Sequence, residues 1–107
     1  MPAVETVLGP VELESLGRTL FHEHLVIRDE AVAAQFAHLK NPADLDTMIA
    51  AVAHIHERSI DAVLDPTVAG LGRDVGFLRK VSEATGVHVL AGTGYFTTSE
   101  LPPYFAC

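Results

Sequence analysis

The sequence predicts an α/β fold built on a parallel sheet, and three observations point there. Apolar, β-favouring runs at Thr19–Val26, Ile60–Asp65 and Val87–Ala91 read as strands. Between them lie stretches whose apolar residues recur at helical spacing. The connections are also long enough for helical crossovers, which parallel neighbours need and antiparallel neighbours do not.

Taken in order, the chain opens with a short hairpin. Val4–Val7 and Val11–Glu14 alternate in polarity around Gly9-Pro10, a natural turn pair. Gly17 punctuates, and Thr19–Val26 follows as a buried strand. Asp29–Lys40 carries Val32, Phe36 and Leu39 at helical spacing and reads as a short helix. Asn41-Pro42 then looks like a helix start, with Asn as cap, Pro in the first turn and Asp44 near the positive end of the dipole. Leu45, Met48, Ile49, Val52 and Ile55 form one apolar stripe, so a helix is predicted from Pro42 to Arg58.

The second strand, Ile60–Asp65, is stopped by Pro66. A glycine-bearing loop leads to a second helix at about Arg73–Thr85, burying Val75, Leu78 and Val81 and ending at Gly86 as C-cap. Val87–Ala91 is the third strand. Tyr95–Cys107 contains Pro102-Pro103 and no periodicity. Three parallel strands leave unpaired backbone groups at both outer edges, which suits part of a larger sheet or barrel. We therefore read residues 1–107 as one incomplete domain.

Composition narrows the function. Of the 107 residues 49% are hydrophobic and 20% charged, a globular balance, and 14 acidic against 7 basic residues give a net charge of −7. Such a surface has no footprint for nucleic acid or anionic lipid. The start of the chain lacks the basic and apolar regions of a signal peptide, and no apolar run is long enough to span a bilayer. The one cysteine, Cys107, allows neither an intrachain disulfide nor a zinc knuckle. The sequence reads as a soluble, cytoplasmic chain.

His22-Glu23-His24 is the first chemical candidate. On a strand, residues two apart share a face, so two imidazoles can each give a nitrogen to one metal ion, while Glu23 faces away in a structural role. The pattern is weak alone, because strand histidines are often only hydrogen-bonded. His54-Ile55-His56 repeats it inside the predicted helix, where residues two apart diverge by roughly 200° and cannot share a metal. Those two, with His38 and His88, read as surface or packing residues.

Gly70-Leu71-Gly72-Arg73-Asp74 lacks the composition of a P-loop or a dinucleotide fingerprint, and Asp74 would repel phosphate; helix capping is the better reading. No nucleophile with an adjacent base can be argued, so no catalytic residue is assigned. Asp65 ends a strand where barrel sites gather functional groups, although loop capping suits it better.

Together these segments resemble the phosphotriesterase family of the amidohydrolase superfamily, which includes the phosphotriesterase-like lactonases and phosphotriesterase-related proteins. Thr6–Val11 and Leu16–Leu25 carry the resemblance, and Gly17-Arg18-Thr19-Leu20-Phe21-His22-Glu23-His24-Leu25 is its most specific part. It continues through Val63–Thr67, Gly72–Val75, Val81–Val87 and Ala91–Gly94.

The resemblance implies the N-terminal part of a (β/α)8 TIM barrel with two divalent metals, usually zinc, at the C-terminal ends of its strands. His22 and His24 would bind the more buried metal. A metal-bridged hydroxide would attack an ester, lactone or phosphotriester, making the protein a binuclear metal-dependent hydrolase of small molecules. The family also allows a homodimer. Phosphotriesterases proper have a tryptophan two residues after the glycine matching Gly94, and lactonases a tyrosine. Phe96 stands there, either lining the substrate pocket or packing.

The family's carboxylated lysine, two later histidines and final aspartate have no counterpart here. A barrel of about 250 residues is typical, so this chain would supply under half of one and would be inactive alone. A rival reading is therefore an inactive remnant with an incomplete metal site. A more remote one is a cupin-like metal-binding module, which the helix at Pro42–Arg58 opposes because cupins are all-β.

Overall fold

In a computed structural model of the chain, residues 2–25, 44–68 and 71–94 are described. The expected helix at Asp29–Lys40, His38, Asn41-Pro42 and the tail from Tyr95 lie outside them.

An antiparallel hairpin comes first, β1 (Ala3–Thr6) with β2 (Gly9–Glu12). Its turn is Val7-Leu8 rather than Gly9-Pro10, since Thr6 pairs with Gly9 and Glu5 with Pro10. Thr6 accounts for the shift. Its hydroxyl donates to the Gly9 carbonyl at 2.7 Å and accepts the Leu8 N–H at 3.2 Å, closing the loop from within. Pro10 is tolerated because β2 is paired on one side only, and a proline there forfeits no ladder bond. The expected continuation of this strand to Glu14 is instead one 3-10 turn, Leu13–Ser15.

The sheet proper has three strands in the order β3 (Thr19–Leu20), β4 (Ala62–Asp65) and β5 (His88–Ala91), parallel as the sequence predicted. Thr19 pairs with Ala62 and Leu20 with Val63; Ala62 pairs with His88, and the register runs on to Asp65 with Ala91. The hairpin is tied to this sheet by Val7 N–H donating to Val89 O at 2.9 Å.

Two helices complete the described structure. Helix α1 (Leu45–Glu57) starts later than the sequence suggested, with Asp44 at the N-cap position that had been assigned to Asn41. Its apolar stripe behaves as expected: Val52 is fully buried, while Leu45, Met48, Ile49 and Ile55 pack against the core. Helix α2 (Val75–Thr85) is capped by Asp74, whose side chain accepts the Phe77 N–H at 3.0 Å, and ends at Gly86 with φ 77°. A β-carbon is disfavoured at that left-handed dihedral, which is why glycine closes the helix.

The buried face of α2 corrects one expectation. Leu78 and Val81 are in the core, but Val75 is 42% exposed and Phe77 packs in its place. Val75 is the first helical residue and Phe77, two positions on, lies on the opposite side. Ser82 is also buried, its hydroxyl donating to Val87 O at 2.6 Å. Leu25, Val63, Val87 and Val89 complete the core.

At the N-terminal end of the sheet, Gly17 adopts φ 69°, and a β-carbon there would collide with the Asp61 side chain. Asp61 uses that space to accept the Arg18 N–H at 3.3 Å. The entry to β3 thus depends on a residue without a side chain.

Candidate metal centre

The sequence predicts a strand through Thr19–Val26, but the ladder ends at Leu20. Beyond it the chain follows β4 irregularly. Glu23 N–H reaches Leu64 O at a long 3.3 Å, and Leu25 N–H is taken at 3.0 Å by the side chain of Asp65 instead of a main-chain carbonyl. At Leu25, past the end of the ladder, a carboxylate thus stands in for a backbone acceptor. His22 and His24 therefore sit just past the strand end.

They are nevertheless brought together. The two ring centroids are 5.1 Å apart and the planes cross at 79°, edge to face. His22 is exposed, His24 half-buried and Leu25 buried, so the segment descends from the surface into the core. Glu23 is exposed, consistent with a role outside the pair. Phe21, at 74% exposure, is a large apolar residue beside them.

His24 is held from the neighbouring strand. Its Nδ1 lies 2.6 Å from the Thr67 hydroxyl oxygen and 3.8 Å from Asp65 Oδ1. Asp65 and Thr67, only 1% and 2% exposed, are the buried polar residues beneath the ring. Asp65 Oδ1 accepts both the Thr67 N–H, at 2.8 Å, and the Thr67 hydroxyl. Its Oδ2 takes the Leu25 N–H. This buried carboxylate thus accepts from two backbone groups and one hydroxyl, partners that a buried charge requires.

Sequence reasoning gave Asp65 a loop-capping role and the structure shows one. It missed Thr67, which lies 43 residues from His24. The only available signal was its place two residues after Asp65, where an aspartate commonly binds the backbone two residues on.

The control pair behaves differently. His54 and His56 are exposed on α1. His54 faces Glu57 at 4.0 Å, while His56 Nδ1 lies 2.9 Å from Ile60 O and 3.8 Å from Asp61. His88, half-buried at the start of β5, joins neither pair. Phe96 lies outside the described residues. Among those residues, no group of three or more histidine, cysteine, aspartate or glutamate side chains is placed to hold a metal ion. The fit to a metal is therefore partial: two adjacent imidazoles supply suitable donors, fewer than the four that a closed zinc site uses.

The sequence profile of the phosphotriesterase family matches residues 2–107. The chain belongs to the phosphotriesterase family. An aryldialkylphosphatase of Saccharolobus solfataricus is 41% identical over 96 residues, covering 89% of this chain and 31% of that protein. An N-acetyltaurine hydrolase of Tetraodon nigroviridis is 36% identical, covering 87% of this chain and 35% of its own length. Among solved structures, the phosphotriesterase of Mycobacterium tuberculosis superposes with a TM-score of 0.80 at 31% identity, covering 97% of this chain and 33% of that one.

The chain thus spans about a third of the length of the relatives it matches. Its hairpin, parallel strands and helices form part of a TIM barrel, and the described sheet does not close into one. No helix among the described residues is long and apolar enough to cross a membrane.

Proposed function

We propose that this chain contributes the first part of a single barrel domain in a metal-dependent hydrolase, with His22 and His24 as two ligands of one metal. The observation that carries this reading is the pairing of the two rings at 5.1 Å, past the C-terminal end of β3, with His24 anchored on Thr67. Barrel enzymes place their chemistry at that end of the strands. Family membership supports the same reading, since the named relatives are hydrolases.

Zinc is the proposed metal, because neutral imidazole suits it and the family resemblance favours it. When bound, a divalent metal supplies Lewis-acid polarisation and activates water. The chain's own contribution is to hold two imidazoles in fixed relation, one of them backed by buried polar groups. Remaining ligands would come from outside the described residues. Phe96 is proposed to wall the substrate pocket.

The proposed substrates are small esters, lactones or phosphotriesters. N-acetyltaurine, named for one set of relatives, adds an amide to the panel. A cytoplasmic location and a homodimer complete the proposal. Metal analysis of the full-length protein, with hydrolysis assays on a lactone, a phosphotriester and N-acetyltaurine, tests it. Stoichiometric zinc with turnover of one of these supports the hydrolase reading. Absence of bound metal and of turnover after zinc loading would favour the inactive remnant.

A further inference from the structure

The contacts beneath His24 decide more than its position. A threonine hydroxyl has one proton to give and two lone pairs to accept with. Thr67 Oγ1 contacts two partners, Asp65 Oδ1 and His24 Nδ1. An aspartate carboxylate can only accept, so the hydroxyl proton belongs on the Asp65 side. The oxygen then has only lone pairs to offer toward Nδ1, 2.6 Å away. For that contact to be a hydrogen bond, Nδ1 must carry a proton and donate it.

We infer that Thr67, backed by Asp65, is a positioning residue that fixes His24 in the Nδ1–H tautomer and leaves Nε2 as the ligand nitrogen. The inference rests on the metal-site reading above and deepens it. Free histidine favours the opposite tautomer, so the preference has to come from the protein. The arrangement matches the general requirement that a ligating imidazole hand its other nitrogen to a supporting acceptor. The acceptor here is a hydroxyl polarised by a carboxylate, one step removed from the usual direct contact.

Asp65 controls the geometry twice. Its Oδ1 orients the Thr67 hydroxyl and accepts the Thr67 N–H at 2.8 Å, while Oδ2 takes the N–H of Leu25, the residue after His24, at 3.0 Å. One carboxylate therefore holds both the group under the ring and the backbone that carries the ring. With Asp65 and Thr67 almost completely buried, water is a poor competitor for either contact.

The test begins without metal. Long-range 1H–15N spectra of the metal-free protein report which nitrogen of His24 is protonated, and Nδ1–H is expected. Thr67→Val keeps the side-chain shape and removes the hydroxyl, so the preference for Nδ1–H should weaken. Thr67→Ser should restore it. Dispersed amide spectra establish that each variant is folded, and if Thr67→Val is not, the tautomer of His24 in the unsubstituted protein carries the test.

Zinc titration of the full-length protein then gives the functional readout. Thr67→Val is expected to lose about 10–100-fold in affinity and Thr67→Ser to recover most of it. An Nε2–H tautomer at His24 in the unsubstituted protein would overturn the inference, as would unchanged zinc affinity in Thr67→Val. Failure of the unsubstituted protein to bind zinc, with His24 still in the Nδ1–H form, would instead overturn the metal reading and leave the tautomer assignment standing.

Discussion

His22-Glu23-His24 and His54-Ile55-His56 share one histidine spacing in the same chain, and the backbone makes them opposites. Past the end of β3 the first pair brings its rings within 5.1 Å, and one ring rests on buried Thr67. On α1 the second pair is exposed and splits between unrelated partners, Glu57 for one and the Ile60–Asp61 corner for the other. On a helix residues two apart diverge, whereas the irregular segment past β3 brings its two rings together. The motif acquires chemical meaning only from the element that carries it.

The largest expected difference is in metal binding. His24→Ala in the full-length protein should reduce zinc affinity by more than the roughly 10–100-fold that loss of a supporting residue costs, with hydrolysis falling in parallel. His54→Ala combined with His56→Ala should leave both within twofold. Calorimetric titration and turnover on the responsive substrate make the comparison. Equal losses in the two variants would erase the distinction between the pairs.

A core substitution asks whether the two regions share one folding unit. Leu78 is 2% exposed on α2, which packs against both α1 and β5. Leu78→Ala should cost about 2–5 kcal/mol through lost transfer energy and a residual cavity. Chemical denaturation followed at the His24 and His54 resonances should give coincident transitions. Separate midpoints would show that the helix and the His22–His24 segment unfold independently.

Asp65→Asn separates the regions more sharply. The amide retains one acceptor oxygen, but its NH2 must face a backbone N–H or the Thr67 group, leaving a buried donor unsatisfied. A loss on the order of 1–3 kcal/mol is expected. Amide shifts should move at His22–Leu25 and Thr67 while those of His54 and His56 stay in place. Changes spread evenly over both segments would show that Asp65 supports the whole sheet instead of the His22–Leu25 segment alone.

These contrasts also show what the sequence could disclose. The α1 stripe was legible because Leu45, Met48, Ile49, Val52 and Ile55 repeat a local period, and period alone decides which face is buried. Gly86 was legible as a C-cap, and Gly70–Asp74 as a capping stretch, because caps depend on adjacent residues; the structure singles out Asp74 as the N-cap and starts the helix at Val75 rather than Arg73. The end of β3 was not. Phe21–Leu25 has strand composition throughout, yet the ladder ends at Leu20 and the Leu25 N–H goes to a side chain 40 residues away. Thr67 was hidden for the same reason: its value lies in a contact across two strands that neither segment encodes alone. In α2, Val75 and Phe77 are both apolar near the helix start, and only the tertiary packing chose Phe77.

The smallest expected effect is confined to α1. Asp44, at its N-cap, has its pKa lowered from the ordinary 3.8, with the Thr47 hydroxyl hydrogen bond to its carboxylate, at 2.6 Å, as the main cause. The position also places negative charge at the positive end of the helix dipole. Because the folded value is depressed, the contribution is fully present above the unfolded value and lost as pH falls through the folded one. In an acid titration followed by NMR, α1 amides near Asp44 should shift below the ordinary aspartate range. Thr47→Val should move that transition upward toward the ordinary range. The residues around His24 should not report this step, because the exposed Asp44 carboxylate is bonded to Thr47 and screened by solvent, whereas His24 rests on Thr67 and Asp65. A response at His24 tracking Asp44 would couple the two regions electrostatically and defeat the separation drawn between the histidine pairs.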